Sequence, residues 1–284
     1  MLLIQFRYFW VMKNIALILT LIAQVTTSDA FPIQEIKDQL NQLKERQIHP
    51  VAVFDLDETL IHSAKRKILS YDKAISINRP VLFQNWPEET LSADQYFSKK
   101  EDALMLSLPN QYDSTLFFKK IGIQNADFVK QLDSFMLPIY LSNDFIPVDT
   151  ANRGAVQLLE LVYQAKGEVH FVSSRYQSTQ ESGTIKNLVD LHLYRNSRQS
   201  FLHLRNDGER SLDFKVRSYS EIKAGIVANQ QIFIVAENEP ENFNALTQYF
   251  PNVLSIFVTG AIMNLGIKLN QVPFMITTKN FIQD

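Results

Sequence analysis

The chain of 284 residues reads as an α/β protein, a doubly wound parallel sheet of about five strands with an inserted, mainly helical cap. Three observations point there. Val51-Ala52-Val53-Phe54 is a short unbroken apolar run, the signature of a strand covered on both faces, and similar runs appear at 169–172, 201–204, 232–235 and 253–258. Helical periodicities separate the later runs, and strand alternating with helix is the pattern of a parallel sheet. One connection, from Phe54 to Asp149, is roughly 90 residues long and therefore needs structure of its own.

Along the chain, Ile33, Ile36, Leu40 and Leu43 recur at helical spacing and predict an amphipathic helix over 32–47, which Pro50 stops. The first strand follows at 51–54. Ala155, Val156, Leu158, Leu159, Leu161 and Val162 predict a helix before the second strand. Ile185, Leu188, Val189 and Leu191 predict the next, Tyr219, Ile222 and Ile226 a third, and Phe243, Leu246 and Phe250 a fourth. The core is thus expected at 31–61 and 149–284. Residues 62–148 form the expected cap, with helical stretches such as 116–137 and an aromatic-rich region around Phe83 and Trp86.

The first thirty residues read as an export signal. The uncharged run 14–28 is 15 residues long, short of the ~20 a membrane-spanning helix needs. It follows Lys13 and ends in Ser28-Asp29-Ala30, whose small residues suit cleavage after Ala30. Met12 makes a better start than Met1, because it places Lys13 directly before the apolar region. An uncleaved anchor beginning at Leu2 is the alternative. Cleavage would leave a periplasmic or secreted protein with no stable membrane insertion.

Composition removes several functions. A formal net charge of −2 argues against nucleic acid as partner, since gripping phosphates needs a basic surface. With 20 Phe and 10 Tyr against 8 Gly and 10 Pro, the chain is not a disordered one. The absence of cysteine excludes disulfides, Cys-ligated zinc, iron–sulfur clusters and thiol catalysis. His49, His62, His170, His192 and His203 lack ligand spacing, and His170 and His203 fall in strands, where packing or hydrogen bonding is expected.

In open α/β sheets, reactive groups sit beyond the carboxyl ends of the strands. There the chain carries Asp55-Leu56-Asp57-Glu58-Thr59, directly after an apolar strand. Asp is depleted in strands, so two carboxylates one residue apart read as a nucleophile with a neighbouring general acid/base. A polar strand end with Asp57 or Thr59 capping a helix is the structural alternative.

With this motif the chain resembles the haloacid dehalogenase-like hydrolase superfamily, whose first motif is an apolar strand followed by Asp-x-Asp-x-Thr. The second motif, a Ser or Thr after the next strand, matches Ser173 in Ser173-Ser174-Arg175. The third, a Lys upstream of the fourth strand, matches Lys215, with Lys223 the other candidate. The fourth is acidic. Most relatives have Gly-Asp or Asp-Asp there, whereas this chain has Glu237-Asn238-Glu239-Pro240-Glu241-Asn242. That run, with Leu141–Asp144 and Gly154-Ala155, also looks like a less-studied branch of the superfamily.

The resemblance spans residues 51 to about 260 and implies phosphoryl transfer to water. Asp55 would be the nucleophile and Asp57 the acid and base. Ser173 and Lys215 would complete the catalytic set, and Thr59, Ser173, Ser174, Arg175 and Lys215 would bind substrate. Mg²⁺ would be held by Asp55, the main-chain carbonyl of Asp57, and Glu237. Glu239 or Glu241 would be an outer ligand or charge at a helix start. The second acid favours a phosphatase over a dehalogenase, and exported relatives include acid phosphatases acting on small phosphate monoesters. Two rivals stand beside this reading. One is a phosphate-ester binding protein that has lost turnover, motivated by Glu237 in place of Asp. The other is a phosphotransferase or phosphoprotein phosphatase, for which Lys65-Arg66-Lys67 is the tight basic cluster; its bland reading is a solvated flap.

Overall fold

A computed structural model describes residues 31–98, 114–259 and 267–281. The expected export signal, with its cleavage site at Ala30, and part of the expected cap, 99–113, lie outside the described residues. The strands are β1 (His49–Phe54), β2 (Ile61–His62), β3 (Thr150–Ala151), β4 (Glu168–Tyr176), β5 (Ser200–Arg205), β6 (Gln230–Glu237), β7 (Leu254–Val258) and β8 (Met275–Thr278). Six of them form one parallel sheet in the order β5-β4-β1-β6-β7-β8. The doubly wound α/β class is therefore as expected, with six strands where the apolar runs indicate about five. The sixth, β8, lies at the sheet edge and is partly exposed along its length, so it never needed the continuous apolar run of a central strand.

The helices are α1 (Ile33–Glu45), α2 (Ala64–Asn85), α3 (Pro87–Ser98), α4 (Ser114–Lys120), α5 (Ala126–Tyr140), α6 (Ala155–Gln164), α7 (Gln177–Asp190), α8 (Ser211–Gly225) and α9 (Pro240–Tyr249). The expected helical stretch 116–137 divides into α4 and α5. Gly122 takes a φ of 90° between them, and the Asn125 side chain caps α5 by accepting from the amides of Asp127 and Phe128.

Successive strand residues point to opposite faces, and the two faces have different cores. Ala52 and Phe54 of β1, Phe171 of β4, and Ile234 and Ala236 of β6 pack with Leu40 of α1 and with Leu158, Leu159 and Val162 of α6. Val53, Val172 and Val235 face the other way, onto Phe214, Tyr219 and Ile222 of α8 and Leu246 of α9.

Between β1 and β4 the chain leaves the sheet. It passes through an antiparallel pair, β2 with β3, in which Ile61 faces Ala151 and His62 faces Thr150. Helices α2 to α5 fold around their own core of Tyr71, Phe97, Phe117, Phe118, Phe128 and Leu132. The rings meet in edge and stacked pairs, with Tyr71 and Phe118 edge-on at 5.1 Å between centroids, geometry that adds to simple burial.

Candidate active site

The same alternation that builds the two cores aims the acids. Asp55 is two residues beyond Val53, and Glu237 two beyond Val235, so both carboxylates project toward α8. Lys215 of α8 meets them there. Its ammonium lies 2.5 Å from Asp55 Oδ1 and 2.9 Å from Glu237 Oε2, and donates to the Val172 carbonyl at 2.6 Å. Three acceptors thus use all three N–H bonds. Lys215 is 1% exposed. Burial acts to lower its pKa, but Asp55 and Glu237 outweigh it and push the ammonium well above its usual value. Lys223, on the same helix, bonds the Tyr249 carbonyl at an exposed site and takes no part.

Asp55 Oδ2 accepts from the Thr59 hydroxyl at 2.9 Å, and the Asp55 amide donates to the Ala236 carbonyl at 3.0 Å. Burial and then Glu237, opposed by Lys215, push the Asp55 carboxyl up to about 7. Glu237 is raised chiefly by burial; its Oε1 accepts from the amides of Asn238 and Glu239. Two acids here share one cation.

Asp57 lies in a different electrostatic setting. Its Oδ1 accepts from Arg66 Nη2 and Arg175 Nη2, each at 2.7 Å, and its Oδ2 from Arg175 Nε at 2.9 Å. Behind the arginines stands Asp149, 2.8 Å from Arg175 Nη2 and 3.3 Å from Arg66 Nε. The four side chains close a ring of alternating charge. Burial alone would raise the Asp57 carboxyl, but Arg175 and then Arg66 hold it well below the usual carboxylate range. At Asp149 burial prevails over the same two arginines, and its carboxyl is pushed up to about 7. The Tyr140 ring stacks over Arg66 at 4.5 Å. Its hydroxyl lies 3.3 Å from Arg66 Nη2 and 3.4 Å from Ser63 Oγ.

These groups surround a cavity of about 200 Å³ at the carboxyl ends of β1, β4 and β6. Asp55, Asp57, Ser173, Ser174 and Arg175 line it, while Thr59 and Lys215 stand behind Asp55 and hold it. Thr59 and Lys215, expected to bind substrate, and Glu237, expected to hold the metal, are thus set back from the cavity, and four further departures from expectation follow. Asp57, expected to donate a proton, is held ionised by two guanidinium groups. Arg175, expected to bind substrate, is engaged with Asp57 and Asp149. Ser174 Oγ already pairs with Ser211 Oγ at 2.5 Å. Arg66, placed by its basic neighbours on a solvated flap, is 0% exposed. Arg66, Asp149 and Tyr140 were invisible as site residues, because no periodicity or spacing distinguishes a buried Arg in a basic triplet from its exposed neighbours.

The oxygen-rich donor set fits Mg²⁺. Asp55, Glu237 and Glu239 are each raised first by burial, and the last two remain near one another with Lys215 as the cation at hand, so a further positive charge relieves all three. Among the described residues no three His, Cys, Asp or Glu side chains form a ready-made cage. Mg²⁺, however, keeps several waters and needs one or two carboxylates. Asp55, the Asp57 carbonyl and an acid of the 237–239 run would hold it. Glu239 lines the cavity, whereas Glu237 is turned to Lys215.

No protein-family model matches the chain, and no curated protein does. Solved structures are similar to it. A haloacid dehalogenase-like hydrolase from Streptococcus pneumoniae has 13% identity and a TM-score of 0.44, covering 82% of this chain and 94% of that one. A predicted phosphoglycolate phosphatase from Haemophilus somnus has 14% and 0.44, covering 83% and 95%. The Mycobacterium tuberculosis protein tyrosine kinase A has 13% and 0.47, covering 81% and 93%. At such identities and TM-scores the likeness decides neither family nor activity.

Proposed function

We propose that this protein hydrolyses phosphate monoesters through an aspartyl-phosphate formed on Asp55, in the manner of exported acid phosphatases. One observation carries the reading: Asp55 sits at the end of a central strand, gripped by Lys215 and Thr59, at the wall of a cavity that a second acid, Asp57, its neighbour but one, also lines. An Asp55 oxygen attacks phosphorus as the ester P–O bond breaks, and the leaving oxygen takes a proton from Asp57. Water then attacks the same phosphorus, gives a proton back to Asp57 and releases phosphate and Asp55.

The ionised Asp57 is ready for the second step. For the first, Arg66 and Arg175 turn from Asp57 to the phosphoryl oxygens, which relieves Asp57 of the charges that keep it unprotonated, and Asp57 takes from solvent water the proton it then donates. Ser173 contributes a hydrogen bond to the phosphoryl group, and Lys215 offsets charge on Asp55. Mg²⁺, when bound, supplies the remaining positive charge against the phosphate dianion. Residues 62–148 act as a cap over small substrates, and residues 1–30 direct the chain to the periplasm or outside the cell.

The test is hydrolysis of an aryl phosphate with Mg²⁺. Asp55→Asn and excess chelator should each abolish it; full turnover in either case overturns the reading. The clamp on Asp57 favours one rival, a phosphate-ester binding protein without turnover, which calorimetry would reveal as tight binding with no product.

A further inference from the structure

A second cavity, about 350 Å³, lies in the helical insertion between α2, α4 and α5. Met136, Leu137 and Tyr140 give it apolar walls, and Ser63, Lys67, Ser114, Asp133 and Ser134 contribute polar groups. Tyr140 belongs to both cavities. Its ring covers Arg66 on the catalytic side, and its hydroxyl is tied to Ser63, which also lines the second cavity. The chamber carrying the nucleophile and this second chamber therefore share one aromatic wall.

The difference in lining separates the two halves of an ester. The 200 Å³ chamber offers Asp55, Arg66, Arg175 and Ser173, chemistry suited to a phosphoryl group with ordered water. For the alcohol the phosphate leaves behind it offers Tyr140 and Leu141. The neighbouring 350 Å³ falls in the size range of small-molecule sites, which are mostly apolar with a few placed polar groups. Leu137 remains 50% exposed while lining it, so the chamber opens to solvent beside an apolar lip. At its polar end, Asp133 accepts from the Tyr71 hydroxyl at 2.6 Å through one oxygen, leaving the other as an acceptor for a hydroxyl or amino group.

We propose that this second cavity holds the leaving group, and that the substrate is the phosphate monoester of an apolar, aromatic alcohol. This deepens the phosphatase reading and rests on it. Tyr140 then presents its ring to the leaving group and its hydroxyl to the ester link, while Met136 and Leu137 supply apolar contact.

The experiment compares kcat/KM for 1-naphthyl phosphate and glycerol 2-phosphate in the wild type, Leu137→Asp and Leu137→Arg, alongside fluorescence titration of each protein with 1-naphthol. The wild type should prefer the naphthyl ester by at least about tenfold, the discrimination a hydrophobic pocket provides. Both variants should cut that preference about tenfold and weaken 1-naphthol binding to a similar degree. Leu137 is half exposed, so neither change threatens the fold. Loss in the Asp variant alone would mean charge repulsion of phosphate and would overturn the inference. Equal turnover of the two esters by the wild type would overturn it as well, with the phosphatase reading intact. Failure to hydrolyse any ester would instead overturn the phosphatase reading, and 1-naphthol binding would then decide the cavity's ligand class by itself.

Discussion

Removing the Lys215 ammonium isolates the electrostatics of the nucleophile. In Lys215→Met, Asp55 and Glu237 lose their common counter-charge, and the Val172 carbonyl loses a donor. Stranding one partner of a buried ion pair costs about 3–5 kcal/mol. Here two carboxylates are stranded, but both have raised pKa values and escape part of the cost by taking up protons. The sign follows. A carboxyl whose folded pKa is raised contributes stability below its unfolded pKa and loses it as pH rises through the folded value. Without Lys215 the folded values climb further, so the penalty should grow with pH. Urea denaturation of the metal-free protein should give a loss of about 3–5 kcal/mol at pH 8 and a clearly smaller loss at pH 5. Lys223→Met, at an exposed site, should change stability by less than about 0.5 kcal/mol. A Lys215→Met penalty under about 1 kcal/mol, or one independent of pH, would refute the description of Asp55, Glu237 and Lys215 as a buried charge cluster.

Asp55 and Asp149 are each raised from 3.8 to about 7, so the metal-free wild type should lose stability as pH rises from about 4 through 7, and Asp149→Asn should flatten that slope in denaturation curves measured at several pH values. Mg²⁺ binding to ionised carboxylates should raise Tm more at pH 8 than at pH 5, and Asp55→Asn should reduce the shift; equal shifts at both pH values in both proteins would count against a metal site at Asp55. Phe118→Ala empties a fully buried position in the core of the insertion and should cost about 3–5 kcal/mol by chemical denaturation.

The sheet was legible because its cause is local. A strand covered on both faces is largely apolar, and the runs at 51–54, 169–172 and 232–235, the second interrupted by His170, match β1, β4 and β6 in the sheet centre. The edge strand β8, Met275-Ile276-Thr277-Thr278, escaped notice because an edge tolerates polar residues. The division of 116–137 at Gly122 escaped for another reason. The apolar spacing continues across the break, and the turn depends on a left-handed glycine followed by the Asn125 cap.

Among the site residues, Asp55 and Asp57 could be located from the end of an apolar strand, and Ser173 and Lys215 from the second and third motifs of the resemblance. Their electrical states could not. Whether Asp57 holds a proton depends on Arg66, which arrives on the first turn of α2, and on Arg175 and Asp149, which flank it from β4 and the start of β3. Those neighbours are 9, 118 and 92 positions from Asp57 along the chain, and only the docking of the insertion against the sheet closes the ring of charges at separations of 2.7 to 3.3 Å. Local pattern thus assigns which groups reach the site. The pKa of each group, and the second chamber behind Tyr140, come from packing between distant segments, because Coulomb energy and desolvation depend on separation in space.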